Sequence, residues 1–125
     1  MSTRSLQIGL GAVFFGLGGW CVVAPASMLA LCVRPQFQSQ AVIVPILAGC
    51  FGAQAMIAGL FAVFSRFSRT TFLAYGIGLL PFFAFDAYFY LARPILTEIG
   101  FASDLGGNLI MLAICWAGWR TASEA

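Results

Sequence analysis

Asp86 is the residue that demands most of its surroundings. It stands within Phe82-Phe83-Ala84-Phe85-Asp86-Ala87-Tyr88-Phe89-Tyr90, a run that is otherwise apolar and largely aromatic. If that run crosses a bilayer, a carboxylate at mid-helix costs about 2.5–3.5 kcal/mol on insertion scales. Neutralisation, a partner group or a watery opening must offset the cost. Helical spacing supplies candidate partners, because Tyr90 at i+4 and Arg93 at i+7 share the face of Asp86. Asn108 lies at a similar depth in the next apolar run, which enters from the same side. Arg34 is placed to join from an earlier loop. Asp86, Tyr90, Asn108, Arg93 and Arg34 therefore form a candidate polar cluster near one membrane surface. It reads either as a small pocket for a ligand, a proton or a lipid head group, or as a hydrogen-bonded clasp between two helices. Gln54 is the second polar group in an apolar run. It lies roughly 20 Å below the end of its helix, too deep to join Asp86 directly. Its expected role is an interhelical hydrogen bond, worth about 0.6 kcal/mol.

The residue types that are missing narrow the chemistry further. The chain has no histidine. That removes His-ligated haem, most catalytic zinc sites and any imidazole base. Cys21, Cys32, Cys50 and Cys115 form no C-x-x-C pair and behave as small hydrophobes, so no metal site is expected. Glu98 and Asp104 are read as loop residues, which leaves no paired carboxylates inside the membrane. With no strands expected, no phosphate-binding loop follows one. The reading is non-enzymatic, with no cofactor, no metal and no catalytic residue.

The elements that position Asp86 follow from composition. Of 125 residues 62% are hydrophobic and only 8% charged, against about 25% charged in an average soluble domain. So few charges cannot cover a soluble core, and the mean hydropathy of +0.98 agrees. Most of the exterior must meet hydrocarbon. All six basic residues are scattered arginines, so no patch for nucleic acid exists. The absence of Lys beside abundant Ala and Gly suggests a GC-rich bacterial genome.

Four apolar runs are candidate spans, the first three long enough to cross as they stand. The first covers Leu6 to about Ala24. A short apolar segment, Pro25–Val33, comes next and reads as an interfacial helix with Pro at its start. The second run covers about Ala41 to Phe64. The third covers about Thr71 to Ala92, with a kink expected at Pro81. The fourth covers about Leu105 to Trp119 and is short, so its helix is expected to start upstream near Ile99. The fold is thus all-α, a single domain of residues 1–125 built as a bundle of four transmembrane helices. The first run has a rival reading as a signal peptide cleaved after Ala24-Pro25-Ala26, but it is longer than the usual apolar region of such peptides.

With four spans, the termini and the middle loop share one side. That side carries Arg4, Arg66, Arg69 and Arg120, and the other carries Arg34 and Arg93. The arginine bias places both termini in the cytoplasm of a bacterial inner membrane. Trp116 and Trp119 beside Arg120 suit the inner interface, and Trp20 the outer one. Gly9, Gly16 and Gly19 in the first span, and the pairs Ala48/Gly52 and Ala55/Gly59 in the second, are expected to let helices pack closely within the bundle. Arg34-Pro35 and Arg93-Pro94 each come after an odd-numbered span, a weak trace of a two-span repeat.

The stretch from Ala24-Pro25-Ala26-Ser27 into Gly49-Cys50-Phe51-Gly52-Ala53-Gln54-Ala55-Met56-Ile57-Ala58-Gly59-Leu60 resembles small bacterial four-span families of the DoxX-like kind. The resemblance covers about half the chain and implies a four-helix inner-membrane bundle. It brings no activity and no catalytic residue. Small multidrug transporters have a similar size, but their working acid lies in the first span, where this chain has none. The functional expectation is an accessory subunit, or a bundle that binds a small ligand or lipid. The partners would be the bilayer and a larger membrane complex or further copies of the chain. The alternative is a small oligomeric proton-coupled transporter with Asp86 as the coupling acid.

Overall fold

The structure, a computed structural model, describes residues 1–123. It is all-α. Its helices are α1 (Thr3–Val23), α2 (Pro25–Cys32), α3 (Ile43–Phe64), α4 (Arg69–Ala87) and α5 (Glu98–Thr121). A 3₁₀ turn lies at Pro35–Phe37, and a π turn at Tyr88–Ala92 prolongs α4. The helix α2 is the expected short segment with Pro25 at its first turn. The four long helices are each apolar and long enough to cross a membrane. The chain is therefore a multi-pass membrane bundle.

Caps set the helix ends. The Ser2 side chain accepts from the Ser5 N–H, and Ser68 and Thr71 form a reciprocal capping box at the start of α4. Thr97 accepts from the Gly100 N–H, and Glu98 in the first turn suits the positive end of the helix dipole. Together they start α5 at Glu98, well before the apolar run at Leu105. Asp104 is thereby a helix residue, not the loop residue its polar neighbourhood suggests. At Pro81 the helix runs on without interruption. The irregularity comes about two turns later, at Tyr88–Ala92.

Close backbone packing joins α1 to α3, α4 to α5, and α1 to α5. The α1–α3 pair is made by glycines seven residues apart on antiparallel helices. Gly18 faces Gly52, and Gly11 faces Gly59. A Cβ on Gly18 would stand 2.7 Å from the Gly52 carbonyl oxygen and 2.9 Å from the Ala55 Cβ. Backbone cannot retreat from such a contact cheaply, which is why small residues mark the interface. Gly52 and Gly59 act within the chain as expected, whereas Gly16 and Gly19 have nothing near them and Gly9 only an ordinary side-chain contact.

The core sits toward the end that carries the termini. Leu6, Leu10, Ala62, Phe67, Phe72, Met111 and Cys115 are buried there. Gln7 is buried among them, and its amide donates to the carbonyls of Ala62 (2.8 Å) and Ser65 (2.6 Å). Arg69 lies 4.6 Å over the Trp119 ring at the same end. At the opposite end two loops pair. Arg34 N–H donates to the Ile95 carbonyl and Thr97 N–H to the Cys32 carbonyl, both at 2.9 Å. Among the described residues this bridge, between Val33 and Leu96, is the only β-type pairing. Gly100 allows the close approach, because a Cβ there would meet the Cys32 backbone at 2.5 Å.

Candidate functional site

Asp86 on α4 is 1% exposed, among the most buried residues of the protein. The Asn108 amide on α5, itself 2% exposed, donates to Asp86 Oδ2 at 3.4 Å. This long bond is the interhelical contact that the sequence suggests. The other oxygen, Oδ1, is fully buried, and among the described residues no group donates to it.

The neighbour that sequence reading misses is Asp104. It lies one helical turn before Asn108 and on the same face of α5. Its side chain and that of Asp86 line the same apolar cavity. A direct contact between two carboxyls needs a proton on one of them, since an ionised carboxylate only accepts. A helix of membrane-spanning length therefore carries a second acid on the wall of the same cavity, contrary to the expectation that Asp104 belongs to a loop. Both acids lie roughly 9 Å from the helix ends at the 93–97 loop, so they meet at one depth.

The remaining candidates fall elsewhere. Past Ala87 the backbone leaves α geometry for the π turn, which adds a residue to the turn and rotates the side chains beyond it. The i+4 and i+7 rule then fails. Tyr90 stacks on Phe101 at 4.2 Å instead, and Arg93 is exposed. Arg34 is held at the loop, where its Nε donates to the Leu96 carbonyl at 2.9 Å. Among the described residues, neither acid is joined to an arginine. Gln54 is exposed rather than buried and faces the gap beside α4.

The acids border an apolar cavity of about 470 Å³, within the range of about 300–1,000 Å³ usual for small-molecule sites. Its walls come from every helix. Trp20 and Cys21 belong to α1, Cys32 to α2, Phe51 to α3, Phe82 and Phe85 to α4, and Ser103 to α5. Burial pushes the Cys32 thiol up from its ordinary value, and the Ser103 hydroxyl beside it offsets this only partly. The thiol stays protonated and is no nucleophile. A second cavity of about 300 Å³ adjoins the first, with Leu17, Phe51, Phe82 and Asp104 in both walls. Gln54 and Asn108 line this second space.

Residues of α3 and α4 line both spaces, and the gap between these two helices is a lateral slit. The backbones of α3 and α4 stay apart along most of their length. Side chains bridge them at two points: the Phe51 and Phe82 rings, 6.3 Å between centroids, and the Tyr75 hydroxyl donating to the Ala58 carbonyl at 3.1 Å. A membrane-dissolved molecule entering sideways would meet aromatic walls first and carboxyl oxygens at the inner end. Among the described residues no group of three or more metal-ligating side chains exists.

No family model matches the chain, and neither a curated protein nor a solved structure matches it. The class rests on the fold itself: a small bundle of four membrane-length helices with an acid-bordered apolar cavity between them.

Proposed function

We propose that this protein is a membrane-embedded binding bundle for a small ligand with an apolar body and a head that donates hydrogen bonds or carries positive charge. One observation carries the reading: Asp86 Oδ1 is a buried acceptor without a donor among the described residues, on the wall of an apolar cavity of about 470 Å³. An orphaned buried acceptor costs about 1–3 kcal/mol, more when charged. A purely structural clasp would have paired it, as Gln7 is paired at the other end. A ligand head that donates to Oδ1 removes the cost. The slit between α3 and α4 supplies the route from the lipid. The bilayer is that of a bacterial inner membrane with both termini cytoplasmic, a reading supported by Arg4, Arg66, Arg69 and Arg120 at the end that carries the termini.

The test is photolabelling in phosphatidylcholine nanodiscs with a neutral diazirine-bearing alkyl alcohol. Labels should concentrate on Trp20, Phe51 and Phe82, and Ser103→Phe, which fills the cavity, should abolish them. Labels confined to lipid-facing positions such as Phe61 and Phe64, or unchanged in Ser103→Phe, would overturn the proposal.

A further inference from the structure

We infer that the Asp86–Asp104 pair takes the head of a lipophilic monovalent cation into the bundle in exchange for one proton. The inference rests on the binding role proposed above and names the ligand class and the coupling.

Three observations carry it. First, two acids on different helices, α4 and α5, line one cavity inside the membrane-length part of the bundle. Second, none of the described residues that line the two spaces carries positive charge. The neighbours from α1 and α2 are the thiols of Cys21 and Cys32, α3 presents Phe51 and Gln54, and α5 adds Ser103 and Asn108. Among the described residues no basic group donates to Asp86, and the Asn108 amide reaches Oδ2 and not Oδ1. The site therefore has more acceptors than donors. Third, the space beyond the acids is apolar and rich in aromatic rings from Trp20, Phe51, Phe82 and Phe85. Aromatic faces attract cations while offering an apolar body its solvent.

The exchange is a matter of charge balance. A medium of low dielectric penalises any change in net charge. A cation entering beside a proton-sharing acid pair conserves the charge of the site if one proton leaves. The proton departs from the carboxyl oxygen, the vacated oxygen contacts the cation, and no other bond changes. A neutral ligand of the same shape demands no such exchange.

The experiment uses the full chain in phosphatidylcholine nanodiscs, with octyltrimethylammonium as a fixed-charge probe and its neutral carbon isostere as control. Binding is measured calorimetrically in lightly buffered solution, with empty nanodiscs subtracted. The cation should bind more tightly than the isostere, with about one proton released per cation. Its Kd should fall about tenfold per pH unit while the pair is protonated. Asp86→Asn and Asp104→Asn, both near-isosteric, should each abolish proton release. Cation binding without proton release, or an isostere that binds equally well, overturns the exchange while leaving the binding role standing. If the photolabelling above also fails and neither probe binds, both readings fall.

Discussion

The two ends of the bundle each bury a polar side chain, and they treat it in opposite ways. At the end with the termini, Gln7 is 4% exposed and gives its amide hydrogens to two carbonyls. Those carbonyls belong to the last turn of α3 and its cap, where helix geometry leaves acceptors unmet. The polar group thus completes the fold, inside a core closed by Phe67 and Phe72. At the other end, Asp86 is 1% exposed, accepts one long bond from Asn108 and leaves Oδ1 without a donor among the described residues. The surroundings there are cavities rather than core. Burial by itself does not separate a structural polar group from a functional one. The distinction lies in whether the protein supplies the missing partner.

The comparison can be broken by substitution. The largest effect belongs to the frame that holds both ends. Gly52→Leu forces a side chain into the α1 backbone at Gly18, so it should cost at least about 3 kcal/mol. Unfolding in a graded mixture of mild detergent and dodecyl sulfate would measure the loss, and an unchanged midpoint would mean that α1 and α3 do not pack through these glycines.

Next comes the closed end. Gln7→Leu should destabilise by about 1–2 kcal/mol, because two carbonyls lose their donor. It should leave octyltrimethylammonium binding unaltered within twofold. A tenfold weaker Kd would show that the two ends are coupled and the contrast is false.

Asp86→Asn should move stability the other way. The new amide can donate toward Asp104 while its oxygen still accepts from Asn108. A gain of about 1 kcal/mol is expected, together with loss of cation binding. Stability gained as function is lost is the usual mark of a strained site. A less stable protein with intact binding would identify Asp86 as a clasp.

The smallest effect is at the slit. Tyr75→Phe removes the hydroxyl bond to the Ala58 carbonyl, typically worth about 0.6 kcal/mol between membrane helices. Photolabelling of the cavity should become faster as α3 and α4 part more readily, with the same final pattern. Slower labelling would place the entry route elsewhere.

Much of this molecule is legible in its sequence. The charge-poor composition requires hydrocarbon as solvent, and the four apolar runs locate the spans to within a few residues at most ends. The start of α5 at Glu98 matches the expected extension upstream to near Ile99, though the Thr97 cap and not hydropathy sets it, and Glu98 and Asp104 are read as loop residues all the same. That reading hides Asp104, because a polar stretch before an apolar run looks like a loop. The helices are apolar all round, so their periodicity does not say which face looks inward. Gln7, near the start of α1, gives no signal for the same reason.

By itself, then, the sequence determined the solvent, the number of crossings and the one residue that sits there at a cost. Those depend on composition and run length, which are local sums. Tertiary structure alone decided Asp86's company. A π turn carried Tyr90 and Arg93 away from it, and the pairing of the 33–34 and 95–97 segments set the register of α5. That register brought Asp104 and Asn108 to the same depth. Contacts between helices depend on rotation and register, and no sum over residues contains either.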